Sequence, residues 1–152
     1  MKHQYPTVDK YRISSPYGYR THPVTGKKGS FHNGVDLATP IGTILKNTVG
    51  SGKCTKVGYD KRNGNYLRIQ HDCGLMTSYA HLSKVLVKQG NEVSRGEVFA
   101  LTGNTGLGTG AHVHFRVRNK VKGKLFNVDP EDYFTFDVKF IGDLDPKEQP
   151  TI

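Results

Sequence analysis

The stretch HVHFRVR, residues 112–118, decides the fold. Its β-branched and aromatic residues fall in near alternation with His112, His114 and Arg116, the period of two that sends successive side chains to opposite faces of a strand. The segments NYLRIQH (65–71), LMTSYAHL (75–82) and EVFALTG (97–103) read the same way. Between them lie GYDKRNGN, HDCG, KQGNEVSRGE and GNTGLGTGA, rich in residues that initiate turns or accept positive φ. Helical periodicity is weak throughout, and SKVLVKQ (83–89) is the one stretch that suits a short turn or helix. The expected fold class is therefore mainly β.

The chain has 152 residues, enough for one domain with its own core. No internal repeat divides it, and the end of the chain, DLDPKEQPTI, is polar with two prolines. Residues 1–140 are expected to form the working domain and 141–152 a polar C-terminal tail.

Lys and Arg number 22 against 13 Asp and Glu, a net charge of +9. Such a balance favours an anionic partner, and nucleic acid, an anionic membrane surface and an anionic wall polymer suit it equally; simple solubility suits it too. Nucleic acid has no further support, since zinc-finger spacing, a helix-turn-helix pattern and an RNA-recognition aromatic motif are all missing. No segment approaches the roughly 20 apolar residues of a membrane-spanning helix. The start, MKHQYPTVDKYR, lacks the apolar core of a secretory signal, so a chain beginning there is expected to be made in the cytoplasm.

Cys54 and Cys73 do not form a CxxC unit. A two-residue hairpin at Asn63-Gly64 would set them opposite each other across two strands, where they could bridge; two free thiols are the alternative.

The seven histidines carry the chemistry. His112 and His114 share one strand face, so both imidazoles reach one small site, and four glycines in GNTGLGTGA (103–111) allow close approach beside them. Alone, HxH equally describes two polar residues on a solvent-facing strand. In FHNGVDLATPIGT (31–43), His32 and Asp36 are four apart, on one side of the chain in either helical or extended geometry, and Gly34 and Pro40 argue against a helix. Two imidazoles and a carboxylate suit Zn²⁺ and leave one tetrahedral position open. Alone, HxxxD also describes a buried histidine beside a turn aspartate.

Six ordered blocks together resemble the lysostaphin-type, or LytM-type, zinc endopeptidases. They are SSPYGYRTHPVTG (14–26), FHNGVDLATPIGT (31–43), GNYLRIQHDCGLMTSYAHLS (64–83), the QG and RGE turns, GNTGLGTGAHVHF (103–115) and VDPEDYF (128–134). The resemblance implies a single domain of antiparallel sheets forming a groove. It implies one Zn²⁺ per chain on His32, Asp36 and His114, with His112 and His81 as non-ligand catalytic histidines. His112 is then the better general base, and His81 orients water or stabilises the oxyanion, although the two roles can be exchanged. The implied substrate is bacterial peptidoglycan, cut at D,D cross-links or glycine-rich bridges.

A monomeric, bacteriolytic phage endolysin acting on the wall fits this reading, as does a piece of a larger secreted hydrolase. A non-catalytic wall-binding or regulatory module on the same scaffold is the competing class, opposed by the complete ligand set. His71 is expected to be structural, His22 to line the groove or pack, and His3 to be solvated. Three positions depart from the usual wording of the family: Ala111 stands for a frequent Pro, Val113 for a Leu, and Arg116 where an acidic residue is usual.

Overall fold

A computed structural model describes residues 3–5, 11–20, 30–106 and 110–135. His22 and the 141–152 tail lie outside the described residues, as do 107–109 of the glycine-rich segment. The strands are, in chain order, β1 (His3–Gln4), β2 (Arg12–Ser15), β3 (Gly18–Arg20), β4 (Ser30–His32), β5 (Val35–Ala38), β6 (Ile44–Lys46) and β7 (Gly52–Asp60). They continue as β8 (Gly64–His71), β9 (Leu75–Val85), β10 (Glu92–Val93), β11 (Val98–Thr102), β12 (His112–Val121), β13 (Lys124–Val128) and β14 (Phe134–Thr135). Among the described residues the one helical element is a 3-10 turn, Pro130–Asp132. The expectation of a mainly β, antiparallel fold is met.

One large antiparallel sheet dominates, ordered β10-β7-β8-β9-β12-β5-β2, with β13 beside β12 and β11 bridging β6 and β9. The segment 112–118 lies at its centre. β12 is flanked by β9 and β5, pairing His114 with Ala80 on one side and Asp36 on the other. Val113, Phe115 and Val117 point into the core with Leu37, Leu67, Ile69, Tyr79 and Phe99. The opposite face of the strand is left to His112, His114, Arg116 and Arg118.

Phe115 is fully buried. Its ring packs edge-on against Tyr5 and Phe134 at 5.1 and 5.0 Å and lies tilted by 31° against Tyr79 at 5.2 Å. The VDPEDYF block thus has a packing role: the Asp129 side chain accepts from the Glu131 N–H, the 3-10 turn follows, and Phe134 is delivered under β12. Phe115→Ala is expected to cost about 3–5 kcal/mol of unfolding free energy, read by urea denaturation; a loss under about 1 kcal/mol would deny this ring its central place.

Two expectations are corrected. SKVLVKQ is not helical at its start, because β9 runs on to Val85 and pairs Lys84 and Val85 with Leu101 and Ala100 of β11. The hairpin between β7 and β8 does not turn at Asn63-Gly64 either. Asp60 lies opposite Gly64 across a three-residue loop. Asp60 Oδ1 accepts from the backbone N–H groups of Arg62 and Asn63 at 2.9 and 2.6 Å. Gly64 takes φ +62°, where a Cβ would also collide with Thr105. This register, with a bulge after Cys54, puts Cys54 opposite Ile69 rather than Cys73. Both thiols are free, Cys54 buried and Cys73 exposed.

Candidate functional site

Three strands bring the candidate ligands together. His32 ends β4, the Asn33-Gly34 bend re-aims the chain, and Asp36 lies in β5 opposite His114 of β12. Gly34 is required at the bend, since a Cβ there would strike the Phe115 carbonyl. His32 Nε2 lies 3.2 Å from Asp36 Oδ1 and 3.2 Å from His114 Nδ1, and His114 Nδ1 lies 2.8 Å from Asp36 Oδ1.

The outer nitrogens are already committed. His32 Nδ1 is 2.9 Å from the Pro16 carbonyl and His114 Nε2 is 2.9 Å from Asn33 Oδ1. Oxygens of this kind only accept, so the imidazole protons sit on those outer atoms and the inner nitrogens present lone pairs. Two nitrogen lone pairs and a carboxylate oxygen about 3 Å apart repel one another unless positive charge lies among them, as protons or as a metal ion. Ligand distances of about 2.0–2.1 Å in a tetrahedral shell separate neighbouring ligand atoms by roughly 3.3 Å, so the spacing fits Zn²⁺, and two nitrogens with one carboxylate oxygen are a donor set it accepts. Among the described residues this is the one group of three or more His, Cys, Asp or Glu gathered closely enough to hold a metal.

When protons rather than a metal ion supply that positive charge, burial pushes the Asp36 carboxyl up, but hydrogen bonds from His114 and His32 and their charge outweigh it and hold the group well below the usual carboxylate range. The carboxylate therefore stays ionised. The side chains of Asp36 and His114 keep 18% and 20% exposure, which leaves the cluster open on one side.

His81 and His112 form a second pair beside it, ring centroids 4.7 Å apart. Each donates Nδ1–H to a backbone carbonyl, His81 to Thr105 and His112 to Gly110, both at 2.7 Å. Each Nε2 is thereby left without a hydrogen-bond partner among the described residues. Burial, above all, keeps His81 below the ordinary imidazole pKa; the charges of His112 and His114 add to this, and the Thr105 bond opposes it. His81 sits at a bulge where the β8–β9 register shifts, at φ +65°, in the left-handed region a non-glycine residue enters at a cost of about 1–3 kcal/mol. The Asn63 carbonyl accepts from its backbone N–H at 2.7 Å and helps to hold the kink.

All five histidine and aspartate residues singled out for chemistry thus lie in two adjoining clusters. The period of two located His112 and His114. Asn33 and the carbonyls of Pro16, Thr105 and Gly110, which fix the tautomers, were missed; Asn33 stood inside the HxxxD block, and the carbonyls leave no trace in a sequence. His71 is structural as expected: it is buried, donates Nδ1–H to the Gly50 carbonyl at 2.9 Å and accepts from the Thr77 hydroxyl at 2.9 Å. His3, expected to be solvated, is half-buried against Phe134.

Burial lowers the His71 pKa from its ordinary 6.5 despite the Gly50 bond. Below about pH 6.5 the unfolded chain binds a proton that folded His71 resists, so this residue removes stability as pH falls toward its folded pKa and contributes nothing above. The limiting slope is about 1.4 kcal/mol per pH unit. His71→Gln should flatten the acid side of a stability-against-pH curve; an unchanged slope would discard the assignment.

The model of peptidase family M23 matches residues 30–129, a span that holds both clusters. This chain belongs to that family. Peptidoglycan DD-endopeptidase ShyA of Vibrio cholerae is 48% identical over 125 residues, 82% of this chain and 28% of that protein. A solved zinc-containing peptidase from Vibrio cholerae superposes with TM-score 0.70 at 43% identity, covering 86% of this chain and 39% of the other. The catalytic domain of lysostaphin from Staphylococcus simulans superposes with TM-score 0.64 at 33% identity, covering 80% and 91%. The chain spans under a third of the length of the curated relatives it matches. A bound metal is implied by this kinship and by the His-Asp-His cluster together.

Proposed function

We propose that this chain is a zinc-dependent endopeptidase that hydrolyses peptide bonds in bacterial peptidoglycan, with one Zn²⁺ held by His32 Nε2, Asp36 Oδ1 and His114 Nδ1. The observation that carries the reading is the convergence of those three atoms next to two imidazoles whose Nε2 atoms are free. Zn²⁺ bound there supplies a Lewis acid for the scissile carbonyl and acidifies water.

The chain's own residues do the rest. Asp36 contributes the negative charge that retains the ion. Asn33 and the Pro16 carbonyl hold the two ligand imidazoles in orientation, the partnership that usually decides metal affinity. His112 Nε2, on the strand of His114, takes the proton from the attacking water and returns it to the leaving amine. His81, its tautomer pinned by Thr105, orients that water or, where Nε2 has taken a proton from solvent, donates it to the developing oxyanion. Residues 1–140 make up the catalytic unit, acting as a monomer at the cell wall. The relatives named as peptidoglycan DD-endopeptidases favour the D,D cross-link; a bacteriolytic role like that of a phage endolysin is the finer form, read by turbidity loss of whole cells.

The test is digestion of purified peptidoglycan with and without a zinc chelator, with new termini identified by mass spectrometry. Chelator-sensitive release of D-alanyl carboxyl termini is expected. Zinc-loaded protein that binds the wall without cutting it would replace this reading with the non-catalytic module.

A further inference from the structure

The face of β12 that carries His112 and His114 does not end at the metal cluster. Arg116 and Arg118 follow on the same face, and across the sheet Arg68 of β8, Ser78 of β9 and Arg116 lie in register, with Gln70, Met76 and Arg118 in the next row. Three guanidinium groups therefore share one half-buried strip. Among the described residues none has a carboxylate partner. Arg116 Nε donates to Asn127 Oδ1 at 2.7 Å, Arg118 Nη2 lies 3.0 Å from the Met76 sulfur, and Arg68 sits over the Tyr66 ring at 5.9 Å.

Two buried polar atoms of the strip, Ser78 Oγ and Arg118 Nε, have no hydrogen-bond partner. Buried polar groups are nearly always paired, so the strip carries unmet hydrogen-bonding capacity beneath its guanidinium groups. Burial, and then the neighbouring guanidinium charges of Arg116 and Arg68, work against keeping Arg118 ionised, a penalty an anion would relieve. The family resemblance expected an acidic residue at 116, so the positive charge of Arg116 is a departure at that one position.

We propose that Arg68, Arg116 and Arg118 form a subsite for carboxylate groups on the peptide strand being cut; the proposal rests on the endopeptidase reading. Strand rise of about 3.3 Å per residue places the Arg116 and Arg118 backbones about 7 and 13 Å beyond His114. An extended peptide over the same face would meet them with residues about two and four positions from the scissile bond. Arginine's planar fork binds carboxylates through two parallel hydrogen bonds, which fits acidic stem-peptide side chains and C-termini and gives uncharged glycine bridges no advantage.

The experiment uses the zinc-loaded His112→Ala protein, calorimetry, and a synthetic cross-linked stem-peptide dimer with its carboxyl groups either free or amidated. The free acid is expected to bind at least about tenfold more tightly at low salt, the scale of a charge-assisted contact. The difference should shrink with added salt and vanish in the Arg116→Gln/Arg118→Gln variant. Equal affinities, no binding of the free acid, or a difference that survives the double substitution would overturn the subsite. Cleavage by the unsubstituted protein separates the two readings. Hydrolysis of both dimers with equal kcat/KM removes the subsite alone, whereas an affinity difference without hydrolysis of either removes the peptidase alone.

Discussion

Asp36→Ala is expected to purify folded but without metal, and to leave peptidoglycan intact. Asp36 is the single anionic atom source among the three that converge, and its Oδ1 lies 3.2 and 2.8 Å from the two imidazole nitrogens. Without it two neutral nitrogens remain, too few for a tetrahedral site that keeps one open position. Groups that merely hydrogen-bond a ligand cost about 10–100-fold in metal affinity when removed, so loss of the ligand itself should exceed about 100-fold. The fold should survive, because the core is built on the opposite face, from Val35 and Leu37 of β5 and their partners. Metal content by elemental analysis, beside far-UV circular dichroism, reads both outcomes; a folded variant with stoichiometric zinc would remove Asp36 from the ligand set.

His112→Ala is expected to do the reverse, keeping zinc while losing turnover. The ring makes no contact within the His32–Asp36–His114 triangle; its Nδ1 is tied to Gly110 and its neighbour is His81. A positioned general base contributes about 10²–10⁴-fold, and kcat should fall by that factor with metal content unchanged. His81→Ala should move kcat in the same direction, and comparing the two pH profiles apportions the roles between base and oxyanion donor. If His112→Ala lost the metal, His112 and His114 would have to exchange assignments.

These expectations were legible in the sequence to different depths. The period of two in HVHFRVR placed β12, and its partnership of His112 with His114, because strand geometry alone fixes which side chains share a face. His32 and Asp36 were found by spacing, but their chemistry depended on a strand 78 residues further on, which no local pattern can position. His81 was reached only through family resemblance. What aims its ring is a bulge and a left-handed backbone angle held by Asn63 and Thr105, both remote in sequence. The Cys54–Cys73 register failed for a similar reason. Asn63-Gly64 looked like a two-residue turn, but Asp60 captures the N–H groups of Arg62 and Asn63 and starts the turn earlier.

His32 and His114 of the converging triangle are 82 residues apart in the chain and 3.2 Å apart in space. Such a contact closes late, since it waits on the docking of β12 between β5 and β9, and long-range pairing of this kind is what slows folding. During synthesis, a ribosome-bound chain that has released His32 and Asp36 still lacks the third corner of the triangle until residues beyond 114 have emerged and taken their place. Closure of the triangle is thereby deferred until β12 has docked, and metal uptake during refolding is expected to follow that step.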